Sequence, residues 1–534
     1  MHRTILIGLD GATFSILDAL IAEGHMPCLQ SFMANGVRGE LLSTPHPLTP
    51  PAWTTLMTGR APGSHGIFDF IWTEERDEDV YFTLNNSRDI QVETVWAIVS
   101  RQGGQVTSLN FPHMAPPPEV NGAIIPGLVS WKHLRRNVHP PDLYPELQAL
   151  PDFDAKEVAW DFDHEKRATQ VVPASEHEAW VSFHIRRERQ WFEIFHFLVR
   201  NRPSDLTAIL IDGVDKLQHV CWAYLDPTGC QTNSSPDARR VRQLCVEYFR
   251  NLDTFLGEVM QWADPEARIF IASDHGFGAT QKVFRLNLWL HKQGYLSWAP
   301  TENLDAAEKL KIEKLVTKHF VHLDWKNTLA YAPSPATNGI VIRRSSDIGP
   351  GGIPDADYEA FRNRLIEQLL HIRDPETGTQ VVRKVLRKEE AFPGEHNRRC
   401  PDLTLVLHDH GFVSTLNKEP VHWTRPEVAG THRPEGVLLA RGPGIPAGRV
   451  ISQQSILDIA PTLLHSLGLG VPSDFEGRAM EEAFDPGYLR AHPVEVDSPT
   501  HPPDTYVARM AQTAVTDEEE ARVIERLRAL GYVE

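Results

Sequence analysis

The chain has 534 residues, 41% of them hydrophobic and 23% charged, with a formal net charge of −18. That length exceeds one ordinary domain and calls for a large core with inserted lobes or a second domain, while the composition is ordinary for a soluble globular protein. The acidic balance argues against a general nucleic-acid binder, which would present a basic face.

The first element, ILIGLDG (5–11), is an apolar strand that runs out into Asp10-Gly11. No basic segment, apolar stretch and small-residue cleavage site precede it, so no secretory signal is expected. No run approaches the roughly 20 apolar residues needed to span a bilayer. The five cysteines, at positions 28, 221, 230, 245 and 400, are scattered, odd in number and without C-x-x-C spacing, which favours a reducing, cytoplasmic setting without a disulfide framework.

Next, LTPPAWTTLMTG (48–59) sets Thr49 just before a helix opened by Pro50-Pro51. A strand is expected at 105–110, followed by a segment rich in Pro, His and charge at 113–174 that reads as an inserted cap. Helix 175–200 opens with Ser175 and Glu178 at capping-box spacing and gathers Trp180, Phe183, Trp191, Ile194, Phe195 and Leu198 on one face. AILIDGVDKLQH (208–219) is a second strand ending in carboxylates, and an amphipathic helix follows at 237–262. RIFIASDHGFG (268–278) repeats the strand-then-turn pattern, ending in Asp274-His275-Gly276. Residues 300–400 read as a second insert, with a helical stretch, a turn-rich GPGGIP and a helix near 356–371. The core is expected to resume at PDLTLVLHD (401–409), pass GTHRPEG (430–436) with His432, and close with a helix in 455–470 that stops at glycine.

Strands alternating with helices imply a three-layer α/β sandwich, a mostly parallel sheet covered on both faces, whose ligands collect beyond the carboxyl ends of the strands. The core is thus expected over 1–483, interrupted by the two inserts, with a Pro-rich linker at 484–515 and an amphipathic helix at 516–534. In that tail Thr516 and Glu519 have capping-box spacing, and Val523, Ile524, Leu527 and Leu530 are expected on one face.

Asp215 and His219 are four apart, which a helical turn places on one face. Adjacent Asp274 and His275 offer O and N ligands suited to zinc at a strand end. Asp10 alone also fits a strand-end turn, His432 alone a surface loop, and Thr49 alone a helix-capping threonine. Their order along the chain carries more than any one of them.

That order resembles the alkaline phosphatase superfamily, in its type I phosphodiesterase/nucleotide pyrophosphatase branch. The resemblance rests on GLDG (8–11), TPPAWTTLMTG (49–59), PGSHGIFDF (62–70), D-x-x-x-H (215–219), SDHGFG (273–278), GTHRPEG (430–436) and DIAPTLLHSLGL (458–469). It implies two divalent metal ions, zinc with manganese as the other candidate, the first held by Asp10, Asp274 and His275 and facing the Thr49 oxygen. Asp215, His219 and His432 would hold the second. It further implies that Thr49 attacks phosphorus and forms a covalent phosphothreonine that water then hydrolyses. A small phosphorylated substrate, a nucleotide or other phosphodiester, is the expected partner; no nucleic-acid polymer and no membrane span are expected, and the resemblance leaves the oligomeric state open.

One position departs from the pattern. Where relatives often carry an asparagine that donates to a phosphate oxygen, this chain has Phe70, and Lys216, Lys282, Asn110 and the Lys132/Arg135/Arg136 cluster are the candidate replacements. Trp53, Phe68 and Phe70, with the two inserts, are expected to shape the pocket, and His65 and Gly66 the loop behind the nucleophile. No cysteine has the context of a sulfatase nucleophile, and a threonine points away from the serine-based phosphoglycerate mutases. A phosphomonoesterase or phospho-headgroup transferase on the same metal core is the alternative, followed by a non-catalytic binding protein on the same fold.

Overall fold

A computed structural model describes residues 3–76, 79–159, 174–227, 235–299, 323–334, 336–348 and 351–501. The expected C-terminal helix at 516–534 and the part of the second insert at 300–322 lie outside the described residues.

Among the described residues the central sheet has nine strands, eight of them in the order Arg449–Val450, Val37–Leu42, Glu435–Arg441, Arg268–Ala272, Thr4–Leu9, Leu206–Ile211, Val106–Leu109, Gly122–Ile125, with Gln454–Ser455 also pairing on Val37–Leu42. Thr4–Leu9 runs parallel to both its neighbours, and only Glu435–Arg441 runs against its own. Its middle strands are buried at every residue, as expected for apolar runs covered on both faces.

Alternate side chains then feed two separate cores. Ile5, Ile7, Leu9, Ile209, Ile211, Ile269 and Ile271 pack under helices Phe14–Ala22, Ala174–Asn201 and Pro236–Trp262. Leu6, Ala208, Leu210 and Phe270 pack under Thr49–Thr58, Val95–Arg101 and Ile459–Leu467. The long helices match their expected spans within a residue or two. Pro236–Trp262 is capped by the Ser235 hydroxyl, which accepts from the Ala238 N–H at 3.1 Å, and Ile459–Leu467 stops at Gly468 in the left-handed conformation.

Three expectations are corrected. The segment 113–174 is not simply a cap: Gly122–Ile125 is an edge strand of the central sheet, and Leu134, Val138, Leu143, Leu147 and Val158 join the core on one face. Four apolar residues between Pro- and Asn-bearing turns were too short a run to stand out from that composition. Leu403–Leu407 does not return to the central sheet. It pairs with Val382–Arg387 and Gly339–Ile342 in a separate four-stranded sheet backed by helix Tyr358–Leu370, with its own core of Ile340, Phe361, Leu365, Val382 and Leu405. An apolar run declares that it is buried, not which sheet buries it. Residues 484–501 do not form a free linker: Phe484 is buried beside Leu463 and Leu464, and Val496–Asp497 pairs with Val471–Pro472.

A third small sheet positions the site. His422–Arg433 lies antiparallel to Gly276–Arg285, in a register that sets His432 opposite Phe277 and Arg433 opposite Gly276.

Candidate active site

Because Thr4–Leu9 lies between Leu206–Ile211 and Arg268–Ala272, all parallel, the residues that follow each strand emerge at one edge of the sheet. Asp10 leaves the first, Asp274 and His275 the third, and Asp215 lies in the first turn of helix Gly213–Leu225 after the second. The hairpin register carries His432 to the same place. Asp10, Asp274 and His275 each offer a ligand atom within 4.8 Å of the others, as do Asp215, His219 and His432. The His275 and His432 rings stack with centroids 3.7 Å apart, so the two groups adjoin.

Thr49 reaches this edge from the opposite face. Its Oγ1 lies 3.3 Å from His275 Nε2. It is the first residue of helix Thr49–Thr58 rather than its cap, a position held by Leu48. Proline has no N–H, so Pro50 and Pro51 leave Thr49 as the only backbone donor among the first three helical residues, and the helix start offers an anion less than usual. The helix sits close to the strand because residue 8 is glycine: a Cβ there would meet Trp53 Cη2 at 2.7 Å. Trp53, expected to line the pocket, is fully buried in the sheet core against Phe111. Behind the helix, His65 Nδ1 accepts from the Ile67 N–H at 3.2 Å and its Nε2 faces Thr55 Oγ1 at 3.0 Å; burial lowers this ring to about 3, so it is a neutral brace.

The donor set fits divalent cations. His275 Nδ1 faces the Gly276 carbonyl at 3.1 Å and His432 Nδ1 the Pro47 carbonyl at 2.8 Å. Each Nδ1 therefore carries the proton, and each Nε2 presents a lone pair. Those lone pairs point at other acceptors: His275 Nε2 lies 3.6 Å from Asp10 and 3.3 Å from Asp274, and His432 Nε2 lies 3.3 Å from Asp215. Among the described residues, Asp10 Oδ1, Asp215 Oδ1 and Asp274 Oδ2 are buried without a hydrogen bond. Burial, then the charges of Asp274 and Asp215, pushes Asp10 well above the usual carboxylate range, and burial does the same to Asp274. Burial also works to raise Asp215, but His219 and His432 beside it hold it well below that range. Burial, then His432, holds His275 well below its ordinary value. Acceptors facing acceptors in a dry pocket call for a cation between them.

A family model described as type I phosphodiesterase/nucleotide pyrophosphatase matches residues 4–435, a span that holds all seven of these residues. The chain belongs to the type I phosphodiesterase/nucleotide pyrophosphatase family. Among solved structures, it is similar to human ectonucleotide pyrophosphatase/phosphodiesterase 5 at 14% identity and a TM-score of 0.53, over 90% of this chain and 100% of that one. The murine form of that enzyme, inactive and in complex with AMP, matches at 14% identity and a TM-score of 0.51, over 88% of this chain and 96% of that one. Phosphonoacetate hydrolase from Sinorhizobium meliloti 1021, in complex with phosphonoformate, matches at 16% identity and a TM-score of 0.54, over 87% of this chain and 95% of that one. These likenesses carry the fold. No curated protein matches the sequence. As a member of this phosphodiesterase family the protein is a phosphate-ester hydrolase; the family is metal-dependent, and the two ligand groups are its candidate metal sites.

The family member's other expected residues divide. Lys282 is paired with Asp374 at 2.9 Å in the second lobe. Asn110 donates to the Leu210 carbonyl and to Asp212. The Lys132 ammonium lies over the Trp131 ring, on the exposed surface. Lys216 alone is at the site, buried with its ammonium 3.7 Å from Asp215 Oδ2. Neither Phe68 nor Phe70 lines the large cleft at the site: Phe68 packs on Phe392 and Phe70 joins the second-lobe core.

Sequence reasoning missed the network beneath the ligands. Asp212 takes an ion pair from buried Arg187, and Glu188 accepts the Gly213 N–H at 3.0 Å, fixing the start of the helix that bears Asp215. The only signal was Asp212 itself, at the end of an apolar run. Gln218 likewise holds the Gly11 carbonyl at 2.7 Å. No helix among the described residues is long and apolar enough to cross a membrane.

Proposed function

We propose that this phosphoesterase hydrolyses phosphodiesters through a covalent phosphothreonine at Thr49, with Asp10, Asp274 and His275 holding one divalent cation and Asp215, His219 and His432 another. The observation that carries the reading is the Thr49 hydroxyl 3.3 Å from His275 Nε2, at the junction of the two ligand groups. Zinc, or manganese on the same mixed O/N ligands, would lower the pKa of the hydroxyl and offset charge on the phosphate oxygens when bound.

The residues of the chain do the rest. Thr49 Oγ forms a bond to phosphorus, in line with the ester oxygen that leaves; the hydroxyl proton is lost and the departing alkoxide gains one. The result is a threonyl phosphodiester that keeps the second arm. Water then adds to phosphorus, the bond to Thr49 Oγ breaks and the hydroxyl regains its proton. Positioning supplies much of the rate in such transfers, and here Gly8, Trp53 and the diproline fix the nucleophile's helix against the strand that bears Asp10. The substrate is a small phosphorylated molecule, and the scattered cysteines without C-x-x-C spacing support a cytoplasmic setting.

The test is turnover of a chromogenic phosphodiester and its matched monoester by zinc-loaded protein, beside Thr49→Ala. The diester is expected to be preferred, and the variant to lose at least about 10³-fold in kcat, as removal of a nucleophile does. A monoester preference lost in the same variant would keep the nucleophile and change the substrate class. A variant as active as wild type would remove Thr49 from the mechanism.

A further inference from the structure

A cleft of about 400 Å³ opens beside His219 and His432. One wall is the turn 45–48 that leads to Thr49; the other comes from the second lobe and includes Asn338, Arg383, Lys384 and His410. Arg383 and Lys384 are consecutive on strand Val382–Arg387, and consecutive side chains of a regular strand point to opposite faces. Both line this cleft because the register slips there. Val382 faces Leu407 and Lys384 faces Val406, so two steps on one strand match one on the other. Such a bulge leaves one residue extra, here Arg383, and re-aims side chains.

The two cations are held ready rather than spent. Nearby Arg387 pairs with Glu359 at 3.1 Å and Lys388 faces Asp402 at 3.7 Å. Arg383 and Lys384 have no acidic side chain within ion-pair distance among the described residues. Glu390 also lines the cleft, but its carboxylate accepts the Arg387 N–H at 3.0 Å. His410 is lowered to about 4 by burial, with Arg433 and Arg383 adding to it, and is neutral near pH 7. A positive wall has thus been built into a protein of net charge −18, next to a candidate phosphate site.

We propose that Arg383 and Lys384 form an anion subsite for the far end of the substrate, so that the natural substrate carries a second anionic group, phosphate or carboxylate, beyond the reacting phosphorus. This rests on the phosphoesterase reading of the same site. Zinc-loaded Thr49→Ala protein is titrated calorimetrically with propyl phosphate, 3-carboxypropyl phosphate and propane-1,3-diyl bisphosphate. At least one ligand with two anionic groups is expected to bind about tenfold or more tightly than propyl phosphate, as new charge-assisted hydrogen bonds supply, and which one does so separates carboxylate from phosphate. Adding Arg383→Ala and Lys384→Ala together should bring that ratio to within about twofold of one, and the exchange Arg383→Lys with Lys384→Arg should restore most of it. Equal binding of all three ligands, or a ratio that survives the double alanine variant, would overturn the subsite. Binding here needs no turnover: a preserved ratio in a protein that cleaves no diester would sink the reaction and keep the subsite, and diester turnover with no ratio would do the reverse.

Discussion

At the residue scale, the site works by placing acceptors against acceptors. The carbonyls of Gly276 and Pro47 fix the tautomers of His275 and His432, leaving each Nε2 lone pair to face carboxylates, an arrangement that calls for a cation between them. Another buried acid is instructive because it lies outside this cluster. Asp69 is pushed up to about 7 by burial, against an ordinary value of 3.8, although it accepts the Phe70 N–H at 2.6 Å. Between those two values the folded chain holds a proton that the unfolded chain releases. Stability is therefore lost as pH rises from about 4 to about 7, by up to ~1.4 kcal/mol per pH unit. Asp69→Asn lacks that loss. Its melting temperature relative to wild type should climb across this window and level off above it; a flat difference would show that Asp69 is ionised in the fold.

At the element scale, two irregularities carry the function. The first is the close approach of helix Thr49–Thr58 to strand Thr4–Leu9, which Gly8 permits: a Cβ would meet Trp53 at 2.7 Å and Leu210 at 3.0 Å. Gly8→Val must push that helix outward and with it Thr49. Overpacking of this kind costs about 1–3 kcal/mol, read by denaturant titration, and a shift of the nucleophile of even 1 Å costs about 10²-fold in rate. Loss of stability with kcat intact would mean that the helix absorbs the change without moving Thr49. The second is the bulge at Arg383, which turns a strand of the outer lobe toward the cleft. Gly11 belongs to the same scale: its φ of +66° lets the chain turn sharply after Asp10, at a place where a Cβ would meet the Phe277 ring at 2.9 Å.

At the scale of the whole molecule, the ligands come from strands more than four hundred residues apart in sequence, so cations at the site would join the central sheet to the hairpin that bears His432. Exhaustive chelation should abolish turnover and lower the melting temperature, and zinc or manganese should return both. Binding linkage at a metal concentration a thousandfold above Kd is worth about 4 kcal/mol, a shift that scanning calorimetry resolves. An unchanged melting temperature after the metal content has been shown to fall to zero would separate folding from the two ligand groups.

Much of this was legible from the chain alone. Runs such as ILIGLDG and RIFIASDHGFG declare buried strands, since they are too short for a helix and a sheet covered on both faces buries every residue of such a run, and the polar residues that end them mark the functional edge. The long amphipathic helices followed from periodicity, because a 3.6-residue repeat has one packing solution on a sheet. What the sequence could not decide was partnership. Leu403–Leu407 reads like a central strand and lies in the outer lobe, Gly122–Ile125 hides in a Pro-rich segment and closes the central sheet, and Trp53 reads as a pocket wall and fills the core. Local pattern fixes whether a residue is buried and which period it follows. Which surface buries it, and which two charges end up side by side as Arg187 and Asp212 do, depends on contacts between distant segments, and only the tertiary structure decides those.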